Sequence, residues 1–341
     1  MIVDKKKSII ENILMWSMSY KISDALFALL RLGVLEALQK QPFSLDALIA
    51  EYHLNKNALN IILTLLVEME LIVYSEGFYS LPSSVSTIIP VLWMEWHVRS
   101  LHASQESLIK ALKTGEGYDP IEACGENQVL GNYQSAMANT MRHISLHMFR
   151  LAKLKGSTCF VDLGGADGAL SFYLSEFIPE AKFITVDRAQ TACYFNQRFL
   201  LKQNKDRFQF VPGDLKKPES LIEWIKKADV IVLSNILHLL APHNIEEILK
   251  IIDEHSPEDC KIIIYDHFVS NSPNLNLNKL MLIDWVNCGT FFNLTVDKCK
   301  NLLEKIGFKE ITCRDLPGLS GTMLVGHSSG VKSSPEYLNV A

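Results

Sequence analysis

The sequence has few cysteines and no excess of positive charge. Its seven cysteines are an odd number and form no C-x-x-C pair, which favours reduced, buried thiols over a disulfide framework or a zinc site. The chain carries 33 Lys and Arg against 38 Asp and Glu, a net charge of −5. This charge gives no reason to expect nucleic acid or an anionic membrane as a partner.

Long apolar runs are also missing, since none reaches the roughly 18 residues that a membrane span needs. The opening segment MIVDKKKSIIEN is charged and lacks the apolar core and cleavage site of a signal peptide. With 341 residues, of which 48% are hydrophobic, the chain is long enough for two domains with ample cores. We therefore expect a cytoplasmic, two-domain protein that acts on a small molecule, not on nucleic acid or a membrane.

A glycine-rich turn lies within residues 157–170, STCFVDLGGADGAL. Gly164, Gly165 and Gly168 interrupt a short apolar run, and helical spacing resumes after them, which predicts a strand, a tight turn and a helix. Glycines let the backbone approach a ligand closely, and the N-terminus of the helix offers unpaired N–H groups. The turn therefore predicts a site for a nucleotide-like cofactor.

Acidic residues end three successive apolar runs. Asp162 precedes the glycines, where it would repel a pyrophosphate but suits the ammonium group of a bound amino acid. Asp187 ends FITVD, where a carboxylate can accept hydrogen bonds from both ribose hydroxyls, and Asp214 ends FVPGD. Ligands bind at the carboxyl edge of parallel sheets, so the three acids together favour a cofactor site. Any one of them alone is equally typical of an ordinary α/β strand end.

The N-terminal region has a different pattern. Residues 8–38 carry large apolar side chains at helical spacing, which indicates helices that have a partner. From Phe43 to Leu81 the pattern predicts a short helix, a longer helix and a Gly-centred hairpin, a winged helix. A winged helix raises the alternative of a non-catalytic binding or regulatory protein. Between residues 41 and 80, however, five acids face the single base Lys56, so this module is not expected to bind DNA.

Strands and helices alternate from residue 156 onward, which predicts a parallel doubly wound sheet. FKEITCRDL and GTMLVGH then predict a terminal hairpin, for seven strands with the last antiparallel. One of the helices is predicted to begin near Asn244, with Glu247 completing a capping box. The predicted divisions are residues 1–110 for the helical domain, 111–155 for a helical connection, 156–328 for the sheet domain and 329–341 for a flexible tail.

In this order, the motifs resemble the class I S-adenosylmethionine-dependent methyltransferases, and more narrowly the small-molecule O-methyltransferases of plant caffeate and hydroxyindole type and their bacterial polyketide relatives. The resemblance covers nearly the whole chain. It implies a Rossmann-like seven-stranded methyltransferase sheet, an N-terminal α-helical winged-helix dimerisation domain, S-adenosylmethionine as cofactor and a homodimer. The cofactor-binding residues it implies are Asp162, Gly164, Gly165, Asp187, Asp214, Leu215 and Ser234.

The resemblance also implies the chemistry, which is methyl transfer to a hydroxyl of a small, aromatic or polyketide-like metabolite. The segment SNILHLL, residues 234–240, corresponds to the family motif whose histidine is the catalytic base. His238 is therefore the expected general base, and Asp266 the acid that orients it. The implied substrate pocket is lined by Met137, Trp285, Phe291 and Phe292.

The sequence departs from the family pattern at three places. Leu239-Leu240 replaces the family's Asp-Trp after the histidine, Asn293 falls at its third acidic position, and Ala166 replaces a glycine of the turn. These departures leave cofactor binding in place and open a second enzyme hypothesis, a lyase or cyclase that binds the cofactor without methylating. No metal site is expected, because His143 and His147 form an i, i+4 pair without a third ligand.

Overall fold

The computed structural model describes residues 8–82, 89–101, 105–118, 128–200, 202–269, 277–290, 292–316 and 321–330. The chain forms two compact units. The first comprises Met1–His102 and Cys124–Asn139, and the second comprises Ala103–Ala123 and Thr140–Ala341. Each unit has its own apolar core.

Helices dominate the first unit. Hydroxyl and amide side chains begin two of them, because Ser44 accepts a hydrogen bond from the backbone of Ala47, and Asn55 accepts one from Ala58. Leucines from successive helices form the core, including Leu30, which is fully buried. The helices are α1 (Ile9–Met18), α2 (Tyr20–Arg31), α3 (Val34–Lys40), α4 (Leu45–Tyr52), α5 (Lys56–Glu68) and α6 (Ile89–Leu101).

A hairpin of β1 (Val73–Ser75) and β2 (Phe78–Ser80) follows α5. The two residues of its turn, Glu76 and Gly77, both have positive φ, 52° and 86°. That is the backbone of a type I′ turn, which matches the twist of paired strands. Helices α4 and α5 with this hairpin form the predicted winged helix, which is confirmed.

Two further helices are α7 (Gln105–Thr114) and α8 (Gln128–Leu151). Helix α7 belongs to the second unit, whereas α8 contributes residues to both units. The buried positions of its second half, Met141, Ile144, Ser145 and Met148, recur at helical spacing and form one face.

The second unit contains a seven-stranded sheet in the order β5-β4-β3-β6-β7-β9-β8. Strands β3 to β7 are parallel, whereas β9 pairs antiparallel with both β7 and β8. The predicted fold class, with its antiparallel terminal hairpin, is confirmed. The strands are β3 (Cys159–Leu163), β4 (Lys182–Asp187), β5 (Phe208–Pro212), β6 (Val230–Ser234), β7 (Lys261–Asp266), β8 (Lys309–Asp315) and β9 (Thr322–His327).

The central strands are buried on both faces, which explains their nearly continuous apolar sequences. One face packs Val161, Ile231 and Ile262 into the main core. On the other face, the rings of Phe160 and Phe183 stack with their centroids 5.0 Å apart. The helices of this unit that follow α8 are α9 (Ala169–Leu174), α10 (Ala192–Phe199), α11 (Ile222–Ile225), α12 (Pro242–His255), α13 (Leu277–Asn287) and α14 (Val296–Ile306).

The predicted capping box on α12 is wrong. The helix begins at Pro242, and its N-cap, Ala241, makes no side-chain hydrogen bond. Proline is favoured at the first helical position because its φ is already helical and its missing N–H needs no partner there. Asn244 and Glu247 therefore lie inside the first turns of the helix.

A second correction concerns the prediction that no apolar run is long enough to span a membrane. Together, Ile9–Arg31 are long and apolar enough to span a membrane by length and composition, with a mean hydropathy of 1.2 over the apolar window, of which 17% is buried. The expectation that no stretch reaches this length was therefore too strict. A helix near an N-terminus that passes this test is weak support for a membrane span.

The start of the predicted tail is anchored. The Ser328 hydroxyl and the Ser329 backbone N–H both donate to Asp253 Oδ1, at 3.3 and 3.0 Å. Asp253 is buried, so these bonds fix the chain just after β9. Residues 331–341 of the predicted tail lie outside the described residues.

Candidate active site

The glycine turn lies between β3 and α9, at the carboxyl edge of the sheet. Gly164 has φ +78°, and a Cβ added there would come within 2.2 Å of the Ile236 side chain. The backbone N–H groups of Gly164 and Gly165 both donate to the Val186 carbonyl, at 2.8 and 3.3 Å. The turn therefore needs glycine for its backbone conformation and for its close approach to the loop after β6.

Asp187 ties the turn to the end of β4. Its Oδ2 accepts the backbone N–H of Ala166 at 2.7 Å, and its Oδ1 accepts that of Arg188 at 2.6 Å. Ala166 keeps the left-handed conformation typical of glycine, with φ +52°. Burial raises the pKa of Asp187 against these hydrogen bonds. Each carboxylate oxygen keeps one lone pair for a further donor.

An open pocket with about 470 Å³ of empty space lies beside this turn. It contains four of the predicted cofactor residues, namely Gly164, Asp187, Asp214 and Leu215. One part of the lining is polar and the other is aliphatic, as an adenosine group requires. The remaining lining residues are Arg188, Gly213, Lys216, Ile236, Leu239 and Leu240.

Asp162 lies beneath the turn and is not part of the pocket lining. It is buried, and a Cβ on Gly165 would come within 2.5 Å of its Oδ2. That oxygen accepts no hydrogen bond from any described residue. Burial, together with repulsion from Asp187 and Asp167, raises the pKa of Asp162 to about 7. A buried, unpaired carboxylate oxygen at this edge fits a cationic group of a ligand.

The end of β6 carries the remaining predicted cofactor residue. The Ser234 hydroxyl donates to the Met141 sulfur at 3.6 Å. The next residue, Asn235, has φ +55° and a buried Oδ1 without a donor among the described residues. Asn235 is not among the residues predicted from the sequence. Its only sequence signal was an asparagine directly after a buried strand, where left-handed backbone is tolerated.

His238 and Asp266 come together as predicted. His238 Nδ1 lies 2.6 Å from Asp266 Oδ1. The Asp266 carboxylate, which is fully buried, also accepts the backbone N–H groups of Leu237 at 2.9 Å and His267 at 2.7 Å. Burial alone raises the pKa of Asp266, but the charge and hydrogen bond of His238 and the His267 N–H outweigh burial and lower it. Asp266 is therefore a fixed, ionised acceptor.

Two of the predicted substrate residues surround the imidazole. The Trp285 ring stacks against that of His238 with centroids 5.8 Å apart, and the Phe292 ring meets it edge-on at 6.3 Å. Both aromatic side chains are 3% exposed. Phe291 lies outside the described residues, and Met137 lies, partly buried, in the part of α8 that belongs to the first unit.

Two of the departures from the family pattern differ in their position relative to the pocket. Leu239 and Leu240 line the pocket beside Ile236, so they extend its aliphatic wall. Asn293 is exposed. Within the described residues, no group of three His, Cys, Asp or Glu side chains could hold a metal ion. The residues at this edge fit S-adenosylmethionine, because they combine a buried acceptor for a cation, an acid for the ribose and an aliphatic wall for the base.

Models of known families match most of the chain. The O-methyltransferase domain matches residues 115–309, and the O-methyltransferase dimerisation domain matches residues 16–87. The chain is 27% identical over 187 residues to isoflavone 4′-O-methyltransferase of Medicago truncatula, covering 52% of this chain and 47% of that protein. It is 22% identical over 174 residues to the tetracenomycin polyketide synthesis 8-O-methyl transferase of Streptomyces glaucescens, covering 49% and 48%. The chain thus spans about half the length of these curated relatives.

The fold is shared along the whole chain. Human N-acetylserotonin methyltransferase, solved in complex with S-adenosylmethionine, aligns with a TM-score of 0.76 and 18% identity over 96% of this chain and 100% of that one. At this identity, the likeness concerns the fold alone. S-adenosylmethionine is the cofactor of the family whose domain model covers more than half of this sequence. The protein is therefore a member of the O-methyltransferase family, with its dimerisation domain at the N-terminus.

Proposed function

We propose that this protein transfers a methyl group from S-adenosylmethionine to a hydroxyl of a small, aromatic or polyketide-like metabolite, with His238 as general base. The observation that carries the proposal is the 2.6 Å contact between His238 Nδ1 and a buried Asp266 carboxylate, which three backbone N–H groups also hold in place. When bound, S-adenosylmethionine supplies an electrophilic methyl group on a sulfonium. The protein must supply alignment and a proton acceptor.

His238 provides the acceptor through its second ring nitrogen. Because Nδ1–H donates a hydrogen bond to Asp266, the neutral imidazole presents the lone pair of Nε2. After Nε2 takes the proton of the substrate hydroxyl, the ionised Asp266 stabilises the imidazolium. This is the division of roles between base and orienting acid in hydrolytic triads.

At the carboxyl edge of the sheet, different residues would bind different parts of the cofactor. Asp187 binds the ribose hydroxyls, and Leu215 with Asp214 and Gly164 borders the adenosine, where Ile236, Leu239 and Leu240 form an aliphatic wall. Asp162 attracts the ammonium group, with Gly165 and Ser234 beside the methionine portion. The wall favours an aromatic base because burying apolar surface is worth about 25 cal/mol per Å².

The acceptor assignment rests on the residues around His238. Trp285 and Phe292 present flat, buried rings on two sides of the imidazole, which suits an aromatic hydroxyl compound. Phe291 and Met137 stay predicted substrate residues. The relatives named after an isoflavone and a tetracenomycin polyketide synthesis support the same substrate class.

We further propose a cytoplasmic homodimer. The match to the dimerisation domain supports self-association, and Ile9, Ile13 and Trp16 on α1 expose apolar side chains that a second copy can cover. We propose that residues 1–110 form the dimerisation domain, residues 111–155 a helical connection and residues 156–328 the cofactor-binding domain. The acidic chain supports neither nucleic acid nor an anionic membrane as a partner.

The test is an assay of purified protein with methyl-labelled S-adenosylmethionine against a panel of phenols and polyketide-like hydroxyl compounds. We expect label in an O-methyl group of at least one product, together with S-adenosylhomocysteine. Cofactor binding without methyl transfer to any hydroxyl acceptor would instead support the non-methylating lyase or cyclase.

A further inference from the structure

Asn235 lies where β6 ends, between Ser234 and the loop that carries His238. Its φ of +55° is in the left-handed region, which is unfavourable for a residue with a Cβ and which asparagine tolerates better than most. The Asn235 backbone N–H donates to the Tyr265 carbonyl at 2.7 Å, and this bond to β7 holds the conformation. Backbone strain of this kind clusters at ligand sites.

The side chain of Asn235 adds a second, independent observation. Its Oδ1 is buried, and no residue in the described part of the chain donates to it. Asp162 Oδ2 is in the same situation on the neighbouring strand β3. Asp162 pairs with Val232, three residues before Asn235, so two unpaired acceptors occur at adjoining strand ends. Buried polar atoms in native proteins nearly always have a partner, so a ligand donor is expected here.

The strand order shows which part of a ligand would lie there. The polar side of the adenosine-like pocket, including Asp187 and Asp214, lies at the ends of β4 and β5, whereas the His238–Asp266 pair follows β6 and β7. In the order β5-β4-β3-β6-β7, a ligand that reaches from this polar side toward His238 must cross the ends of β3 and β6, and residues that follow these two strands also line the pocket. In S-adenosylmethionine, the methionine portion extends from the adenosine, and its ammonium carries three donors and a positive charge.

We propose that Asn235 is a further cofactor-binding residue, whose Oδ1 accepts a hydrogen bond from the ammonium group of the cofactor's methionine portion beside Asp162. The inference rests on the proposed function and adds a residue to its cofactor site. An amide oxygen and a carboxylate oxygen are both acceptors, which matches a donor-only group such as ammonium. The left-handed backbone is then the means by which the side chain reaches its partner.

Two ligands separate this role from a general effect on the loop. S-adenosylhomocysteine contains the ammonium group, whereas 5′-methylthioadenosine has the same adenosine and thioether but no amino-acid portion. Asn235→Gly removes Oδ1 and also suits the left-handed backbone, so the loop should keep its conformation. By calorimetry, this variant should bind S-adenosylhomocysteine roughly 10- to 100-fold more weakly, because a hydrogen bond to a charged group is lost. Its affinity for 5′-methylthioadenosine should be unchanged.

Two further variants serve as controls. Asn235→Asp keeps an acceptor at the same place and should retain at least the parental affinity for S-adenosylhomocysteine. Asp259→Gly makes the same kind of substitution at another left-handed residue, φ +61°, just before β7 at the opposite edge of the sheet, and should bind both ligands normally. Thermal unfolding of each variant checks that it is folded.

Equal affinity of the parent and Asn235→Gly for S-adenosylhomocysteine would overturn the role of Asn235 while leaving the proposed function intact. Equal weakening for both ligands would also overturn it, because the loop rather than the ammonium contact would be responsible. A parent protein that binds neither ligand would overturn both the cofactor assignment and this inference.

Discussion

Asp187 joins the glycine turn to the ribose end of the proposed cofactor site. Asp187→Ala removes the acceptor for the ribose hydroxyls, and it also frees the Ala166 N–H that the carboxylate holds at 2.7 Å. Each hydrogen bond to a charged group contributes about 1.5 to 3 kcal/mol. We expect S-adenosylhomocysteine to bind at least about tenfold more weakly, as measured by calorimetry.

The matched control is Asp206→Ala, an exposed acid just before β5 at the opposite edge of the sheet. It should leave the affinity unchanged. NAD binding by the parent protein in place of S-adenosylhomocysteine would contradict the assignment of this edge.

Asp162 predicts a pH-dependent stability. An acid whose pKa is raised on folding destabilises the folded state above that pKa and has no effect below the pKa of the unfolded chain. Burial and repulsion from Asp187 and Asp167 together raise the pKa of Asp162 from 3.8 to about 7, so the cost in folding free energy grows as the pH rises through that window. The loss in folding free energy is roughly 4 kcal/mol at most, because each pKa unit of the shift corresponds to about 1.4 kcal/mol.

Asp162→Asn cannot ionise and avoids this cost. Without cofactor, its melting temperature should exceed that of the parent at pH 8, and the difference should shrink toward pH 5. Melting curves at both pH values provide the test. A difference that is constant with pH would mean that Asp162 does not titrate in this range.

Among the elements, α1 combines a capped N-terminus with an exposed apolar face. Ser8 and Glu11 form a capping box, yet Ile9, Ile13 and Leu14 are all more than half exposed. A monomeric soluble protein rarely leaves such a surface uncovered. In the homodimer that we propose, this face packs against the second copy.

Ile13→Asp should therefore weaken association at least about tenfold, because an apolar contact worth about 1.5 to 3 kcal/mol is replaced by a buried charge. Deletion of the chain through Tyr20 should have a larger effect. Light scattering across a dilution series should give twice the chain mass for the parent and for Lys205→Asp, an exposed control in the second unit. A parent that is monomeric at micromolar concentration would contradict the dimer.

The elements also show how far the sequence predicts the structure. Wherever the periodicity was strong, as in the sheet strands and the winged helix, element type and order were predicted correctly. Helix ends were less predictable. The start of α12 was misplaced because Asn244 and Glu247 imitate a capping box, whereas Pro242 determines the first turn. After β4, a 3₁₀ turn over Ala189–Thr191 precedes α10, which ends at Phe199.

For the whole molecule, the parallel topology explains why the sequence places the candidate site residues at one edge of the sheet. Parallel strands bring their carboxyl ends to one edge, so Asp162, Asp187 and Asp266 meet there although they are far apart in sequence. Asn235 could not be predicted, because its left-handed backbone and unpaired Oδ1 depend on the neighbouring strand. The aliphatic wall of the pocket was visible only as a Leu-Leu departure from the family's Asp-Trp.

The proposed role of His238 as general base can be tested by removing its imidazole. The measurement is the methylation rate of His238→Ala on the best hydroxyl acceptor, with its affinity for S-adenosylhomocysteine measured in parallel. We predict a rate roughly 10² to 10⁴ lower with an affinity that barely changes, because His238 acts on the substrate proton and does not hold the cofactor. Asp266→Asn should lower the rate less, since it orients the imidazole. Methylation by His238→Ala at the parental rate would mean that His238 is not the general base.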